Sequence, residues 1–280
     1  MNKKIERIIK AALKEDIASG DITTIATISK NIKARGNFLV KQNGIIVGLE
    51  IVENTFKIYD STLKLKKKYK DGDKVKAGTI IAEVHGKAAS ILTVERTALN
   101  FFQRMSGIAT YADQFAKKIK HTKAKIIDTR KTAPGLRTID KFAIKLSGCE
   151  NHRIGLYDMY LIKDNHIEVA GSITKAIEAC KKNNSNNKTR FQIEVETKNL
   201  KEVEEALSCN PDIIMLDNFD LKSMRKAVKL INGKCKVEAS GMVNLNTVKA
   251  IAETGVDYIS VGALTHSVKA LDISLEIKII

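Results

Sequence analysis

Hydrophobic positions Ile5, Ile8, Ile9, Ala12 and Leu13 recur at helical spacing and predict an amphipathic opening helix. Gly20-Asp21-Ile22-Thr23-Thr24 reads as a turn. Residues 34–50 alternate apolar and polar positions between turn glycines and predict strands. Asp71 to Gly78 is a turn-rich β segment, and Thr79 to Val84 is strand-like. Residues 90–119 return to helical rhythm through Leu92, Leu99, Phe102, Ile108, Tyr111, Phe115 and Ile119, with Gly107 expected to split them into two helices.

After about residue 124 the pattern changes to short apolar runs that end in a polar or small residue. They are Ile126-Ile127-Asp128, Leu161-Ile162-Lys163-Asp164, Phe191 to Glu196, Ile213 to Asp217, Val237 to Ser240 and Tyr258 to Gly262. The last four recur about every twenty residues, room for one strand, one helix and two short loops. Asp220 and Asn246 stand where helix caps belong, and Gly233 and Gly255 where helices stop. Repeating β-α units imply a parallel sheet, and six of them imply an open α/β barrel of TIM type.

In such a barrel the chemistry lies at the C-terminal strand ends. Those ends carry Asp128-Thr129-Arg130-Lys131, Lys163-Asp164-Asn165-His166, Glu194 and Glu196, Asp217-Asn218, Ser240-Gly241 and Gly262-Ala263. Glu194 and Glu196 are two apart, so both leave the same face of a strand. Carboxylates facing a barrel interior need cations or a ligand; a structural ion pair is the alternative for each. Arg130, Lys131, His152, Arg153 and Lys163 supply guanidinium forks and point charges suited to a small polyanion, with surface salt bridges or, for His166, a helix cap as the plainer readings. The small-residue turns Ser240-Gly241 and Gly262-Ala263 follow the last two strands, where barrels commonly bind phosphate.

Charge and composition narrow the classes. Lys and Arg number 48 against 32 Asp and Glu, a net +16, mostly lysine. A basic nucleic-acid binder should add aromatic platforms or a known motif, yet Trp is absent and aromatics are 5%. No nucleic-acid partner is expected. No apolar run approaches the roughly 20 residues of a membrane span, and the N-terminus lacks the apolar core of a secretory signal. The four cysteines, Cys149, Cys180, Cys209 and Cys235, are far apart, as expected for reduced thiols in a cytoplasmic protein.

Several longer stretches resemble the quinolinate phosphoribosyltransferase family (nicotinate-nucleotide pyrophosphorylase, carboxylating). They are Thr129 to Arg137 (TRKTAPGLR), Asn151 to Asp158 (NHRIGLYD) and Leu161 to His166 (LIKDNH), then Glu194-Val195-Glu196, Met215 to Phe219 and Glu238 to Gly241. Glu15-Asp16 with Gly20 to Thr24, Glu95 to Asn100 with Ser106 to Thr110, and Leu271 to Leu275 extend the likeness over nearly the whole chain. Two departures stand out. Leu146-Ser147-Gly148-Cys149-Glu150 replaces a more glycine-rich stretch, and Met242 stands where the family often has glycine. Methionine is expected to resist a positive φ there.

The resemblance implies an N-terminal α/β sandwich domain over residues 1–110, joined by the tail 266–280, and a catalytic barrel over 111–265. It implies dimers or higher homo-oligomers with shared active sites. It implies condensation of quinolinate with phosphoribosyl pyrophosphate to nicotinate mononucleotide, pyrophosphate and CO2, in de novo NAD synthesis. Carried over residue by residue, Arg130, Lys131, His152, Arg153 and Lys163 would hold anionic substrate groups, with Thr129 beside them. Arg96 would enter the partner's site. Glu196 and Asp217 would meet the ribose hydroxyls and the magnesium-bound diphosphate, and Ser240, Gly241, Gly262 and Ala263 the 5′-phosphate. Lys131, Lys163, Glu196 and Asp217 would carry the catalysis, with Mg2+ held mainly through the substrate and by no dedicated protein cage. A nicotinate-using enzyme of the same fold is the rival; it should need fewer cations.

Overall fold

The computed structural model describes residues 2–186 and 188–280. In chain order the elements are α1 (Lys3–Ile17), α2 (Ile22–Thr27), β1 (Lys33–Val40), β2 (Gly44–Ile45), α3 (Leu49–Tyr59), β3 (Lys64–Lys67), β4 (Lys74–Val75), β5 (Ile80–Lys87), α4 (Ala88–Ile119), β6 (Lys125–Ile127), α5 (Arg137–Leu146) and β7 (Tyr160–Ile162). They continue as α6 (Asp164–Ala170), α7 (Ile173–Ser185), β8 (Ile193–Thr197), α8 (Leu200–Ser208), β9 (Ile213–Asp217), α9 (Leu221–Ile231), β10 (Lys236–Ser240), α10 (Val248–Ala252), β11 (Tyr258–Ser260), α11 (Ala263–His266) and β12 (Ile273–Ile279). They form two compact units.

The first unit comprises residues 1–112, 132–148 and 265–280. Its sheet runs β12-β1-β5-β3, and its neighbours pair antiparallel. The tail strand β12 lies along β1 from Ala34↔Ile279 to Val40↔Ile273, so the C-terminus completes the N-terminal sheet. Phe38 of β1 points into the core, edge-on to Phe56 of α3 at 6.2 Å and to Phe102 of α4 at 5.9 Å. α1 is capped by Asn2 and buries Ile9 and Leu13, two of the five expected positions. The region 34–50 holds only one long strand; from Leu49 it is already helix, with Asp71 accepting the amides of Gly48 and Leu49 at 2.9 Å.

Gly107 does not break the helix: α4 is continuous for 32 residues. The glycine is there for space. A Cβ at 107 would lie 2.2 Å from the Lys269 carbonyl oxygen, so the tail backbone passes directly over it. The segment 132–148, expected with the barrel, groups with this first unit. There Asp140 of α5 is fully buried and grips Arg104 of α4 through two bonds of 2.8 Å.

The second unit comprises residues 113–131 and 149–264. Its six-stranded sheet runs β6-β11-β10-β9-β8-β7, with every neighbouring pair parallel. β6 and β7 are the two edges, as in an open barrel. Beside β6, Glu150 makes an isolated parallel bridge to Ile127. Val195, Ile214, Leu216 and Ala239 are fully buried on the helix-facing side. Asp220 caps α9 as its position predicts, accepting from the Ser223 amide at 2.8 Å. The cap expected at Asn246 is instead supplied by Asn244, whose Oδ1 accepts the amides of Asn246 and Thr247. No helix among the described residues is long and apolar enough to cross a membrane.

Candidate active site

Strand alternation sets which side chains meet inside the barrel. β8 pairs with β9 at Glu194↔Ile213 and Glu196↔Met215, and β10 pairs with β9 at Glu238↔Met215 and Ser240↔Asp217. Burial changes along each strand: Glu194 stands two residues before Glu196, and Glu238 two before Ser240. Glu196, Asp217 and Ser240 are half-buried near the strand ends; Glu194 and Glu238 lie one layer deeper with no exposure at all.

At the mouth, burial and the neighbouring Asp217 charge push the Glu196 carboxyl above its ordinary range, while Lys163 and Lys198 draw it down. Lys163 is exposed, and its amide donates to His166 Nδ1 at 2.9 Å. His166 is thus the helix cap that its plainer reading foresaw. Asp217 accepts from the Asn218 amide group at 2.9 Å. Arg153 is 9% exposed and donates to the Met159 carbonyl at 3.1 Å. Burial, then the like charge of Arg130, lowers the Arg153 pKa, against the pull of Glu194 and Asp158. Arg130, Arg153 and Lys163 are therefore brought together with Glu194, Glu196 and Asp217. Thr129 and Lys131 follow β6, where the Lys131 amide donates to Thr129 Oγ1 at 3.0 Å. Arg96 lies in the first unit, exposed on α4.

His152 occupies a different environment from the open cations. Its backbone amide donates to the buried Asp128 at 2.9 Å. Its Nε2 meets Glu194 at 2.9 Å and Glu238 at 3.5 Å, and its Nδ1 accepts the Arg153 amide at 2.8 Å. That last bond assigns the ring: Nδ1 carries the lone pair, so Nε2 carries the hydrogen and donates to Glu194. Sequence reasoning did not single out Glu238 as a site residue. The signal was there in its register, two residues before Ser240 inside the apolar run Val237-Glu238-Ala239.

The turn after β10 holds two left-handed residues, Gly241 at φ +97° and Met242 at φ +49°. Gly241 is obligatory, since a Cβ would lie 2.1 Å from Asn218 Oδ1. Met242 adopts the positive φ it was expected to resist, with its side chain 84% exposed. In the other departure, Gly148 turns at φ +84°, and Cys149 is buried. Glu150 there pairs with Lys125.

Comparison with known proteins decides the family. The model of the quinolinate phosphoribosyl transferase N-terminal domain matches residues 21–106, and that of its C-terminal domain matches residues 108–276. The chain belongs to the quinolinate phosphoribosyltransferase family. A mitochondrial quinolinate phosphoribosyltransferase [decarboxylating] of Nicotiana tabacum is 45% identical over 98% of this chain and 82% of its own. A probable nicotinate-nucleotide pyrophosphorylase [carboxylating] of Bacillus subtilis is 40% identical over 98% and 93%. The solved nicotinate-nucleotide pyrophosphorylase of Francisella tularensis superposes with a TM-score of 0.93 at 42% identity, covering 99% of this chain and 97% of that one. The barrel and its added sheet are thus the architecture of quinolinate phosphoribosyltransferases.

Proposed function

We propose that this chain transfers the phosphoribosyl group of phosphoribosyl pyrophosphate to quinolinate, with decarboxylation to nicotinate mononucleotide, at the strand-end mouth of its barrel. The observation that carries the assignment of the site is the convergence of Arg130, Arg153 and Lys163 on Glu196 and Asp217 in one parallel barrel. Arg130, Lys131, Arg153 and Lys163 bind the two quinolinate carboxylates and substrate phosphates. His152, donating into the barrel, holds its segment in place beneath them. Thr129 orients the Lys131 backbone. Amides of the turns at Ser240-Gly241 and Gly262-Ala263 receive the 5′-phosphate.

Breaking the C1′–O bond sends its electron pair out with the diphosphate and leaves an electron-poor sugar carbon. Glu196 and Asp217 face that carbon and its hydroxyls and stabilise the developing charge. The pyridine nitrogen then donates its lone pair to C1′. The resulting ring cation accepts the electrons of the C2–carboxylate bond as CO2 departs, and C2 takes a proton from water. No nucleophilic side chain is needed. Glu196 and Asp217 also suit a hydrated Mg2+, which keeps most of its waters and needs only one or two carboxylates. When bound there, it neutralises the leaving diphosphate.

Purified protein given quinolinate, phosphoribosyl pyrophosphate and Mg2+ is expected to yield nicotinate mononucleotide and CO2 in equal amounts, and to do far less with nicotinate. No product from quinolinate, or a preference for nicotinate, would overturn the reading. We further propose a cytoplasmic homodimer or higher assembly in which Arg96 serves the partner's site. Mixing inactive Arg96→Ala and Lys163→Ala subunits should restore about a quarter of the sites in a dimer. No recovery despite proven exchange of subunits would remove sharing.

A further inference from the structure

Beneath the mouth lie two carboxyls that the reaction does not use. Glu194 and Glu238 are both fully buried, on neighbouring sides of β9, and one oxygen of each lies with a ring nitrogen of His152 within 4.8 Å of one another. Neither oxygen of Glu238 accepts a bond from a fixed donor, and one oxygen of Glu194 is likewise unmatched. The charged and polar groups around them are His152, Arg153, Lys163, Glu196 and Ser260. Two bare carboxylates facing each other in a dry interior repel; one shared proton turns the same contact into a hydrogen bond.

The spacing would also admit a metal ion. The histidine argues against it: Nδ1 already accepts the Arg153 amide, so Nε2 holds its hydrogen and has no lone pair to offer. A proton fits the vacant lone pairs where a cation does not.

We propose that Glu238 is a positioning residue for quinolinate: it stands as a neutral acid donating to Glu194, so that one negative charge, not two, lies under the cationic grip and His152 and Arg153 stay in register. This rests on the reading that Arg153 and Lys163 hold the substrate carboxylates. Burial first, then the Glu194 charge, raises the Glu238 pKa well above the carboxylate range. A cavity of about 410 Å3 that Glu238 lines together with His152, Arg153, Gln192, Ile213 and Tyr258 leaves room for water beside the pair. The proton can thus exchange with water through this cavity.

The consequence is specific. As pH rises far enough to ionise Glu238, a second anion appears beneath a doubly anionic ligand whose own charge no longer changes. The Kd and KM for quinolinate should rise about tenfold on the alkaline side while kcat changes much less. In Glu238→Gln the amide donates as the acid did and cannot ionise, so that extra rise should vanish, leaving only the part due to lysine titration that both proteins share. Difference infrared spectra should lose one protonated-carboxyl carbonyl band in Glu238→Gln. Glu238→Leu, which removes the donor, should not restore the register, and quinolinate binding should stay weak at every pH if that protein folds. An unchanged alkaline rise in Glu238→Gln, no rise in the native enzyme, or an unchanged infrared band would overturn the proposal. So would stoichiometric Mn2+ or Zn2+ retained after dialysis by the native protein and lost in Glu238→Gln. Failure of the underlying reading looks different: Lys163→Ala would then leave quinolinate affinity untouched.

Discussion

Two pairs of carboxyls share one barrel interior and differ by a single layer. Glu196 and Asp217 stand at the strand ends, half-buried, with Lys163 opposite. Glu194 stands two residues before Glu196, and Glu238 two before Ser240, about 7 Å back along their own strands, both fully buried with His152 opposite. All four are carboxylic acids. Depth assigns them different states. Near water, the Lys163 charge draws the Glu196 carboxyl back toward its ionised form, and in the proposed reaction negative charge is what an electron-poor sugar carbon requires. Below, burial outweighs attraction, and the pair holds a proton between its members. A barrel strand can therefore place an electrostatic tool and its foundation on consecutive inward positions.

The sharpest way to break this contrast is to remove one member from each layer. Glu196→Ala should lower kcat/KM by about 100- to 1,000-fold, the worth of about 3–4 kcal/mol, with its urea midpoint nearly unchanged. Glu194→Ala should do the reverse in stability, losing about 3–5 kcal/mol because His152 and Glu238 are left buried and unmatched. Steady-state kinetics and urea unfolding on both variants test it. Equal stability losses in the two would erase the distinction between the layers.

A smaller effect concerns pH. Glu194 ionises at about 7 in the folded chain against 4.5 in the unfolded chain, so between those values the native state binds the extra proton. Stability must then fall as pH rises through this window and stay lower above it. The whole fall is worth roughly 3 kcal/mol for such a shift, of which about 2 kcal/mol lies between pH 5 and pH 7.5. In the double variant Glu194→Gln/Glu238→Gln the fall should flatten. Urea unfolding at pH 5 and pH 7.5 measures it; an equal fall in both proteins would mean that the lower pair is not the origin.

The same layering explains what could be read from the chain beforehand. Strand rhythm and strand-end residues gave the barrel, and alternation put Glu194 and Glu196 on one face, because both follow from a period of two. The tail's place beside β1 entered only through family likeness, since Ile273–Ile279 carries no signal of its distant partner. Gly107 looks like a helix break from its neighbours alone because its reason lies 162 residues away, in the Lys269 carbonyl that crosses it. α5 lies between two barrel strands in sequence, and nothing local signals that its buried Asp140 answers Arg104 of α4. The tautomer of His152 was likewise beyond reach: it depends on one backbone amide and one buried oxygen. Contacts within a period are legible; contacts between distant segments are not.

The least effect is expected at the rim, at Met242. Its left-handed backbone costs an L-residue about 1–2 kcal/mol, but its side chain is 84% exposed and packs little. Glycine would relieve the strain and at the same time widen the unfolded ensemble by about 0.4–1 kcal/mol. Met242→Gly should therefore gain between about 0 and 1.5 kcal/mol. Met242→Ala keeps both the strain and a restricted unfolded chain, so it should be nearly neutral. The difference between the two variants isolates the backbone from the side chain, and thermal unfolding resolves it. Should alanine prove as stabilising as glycine, the strain would belong to the thioether side chain and not to φ. The turn after β10 would then be relaxed, in contrast to the proton-sharing pair beneath it.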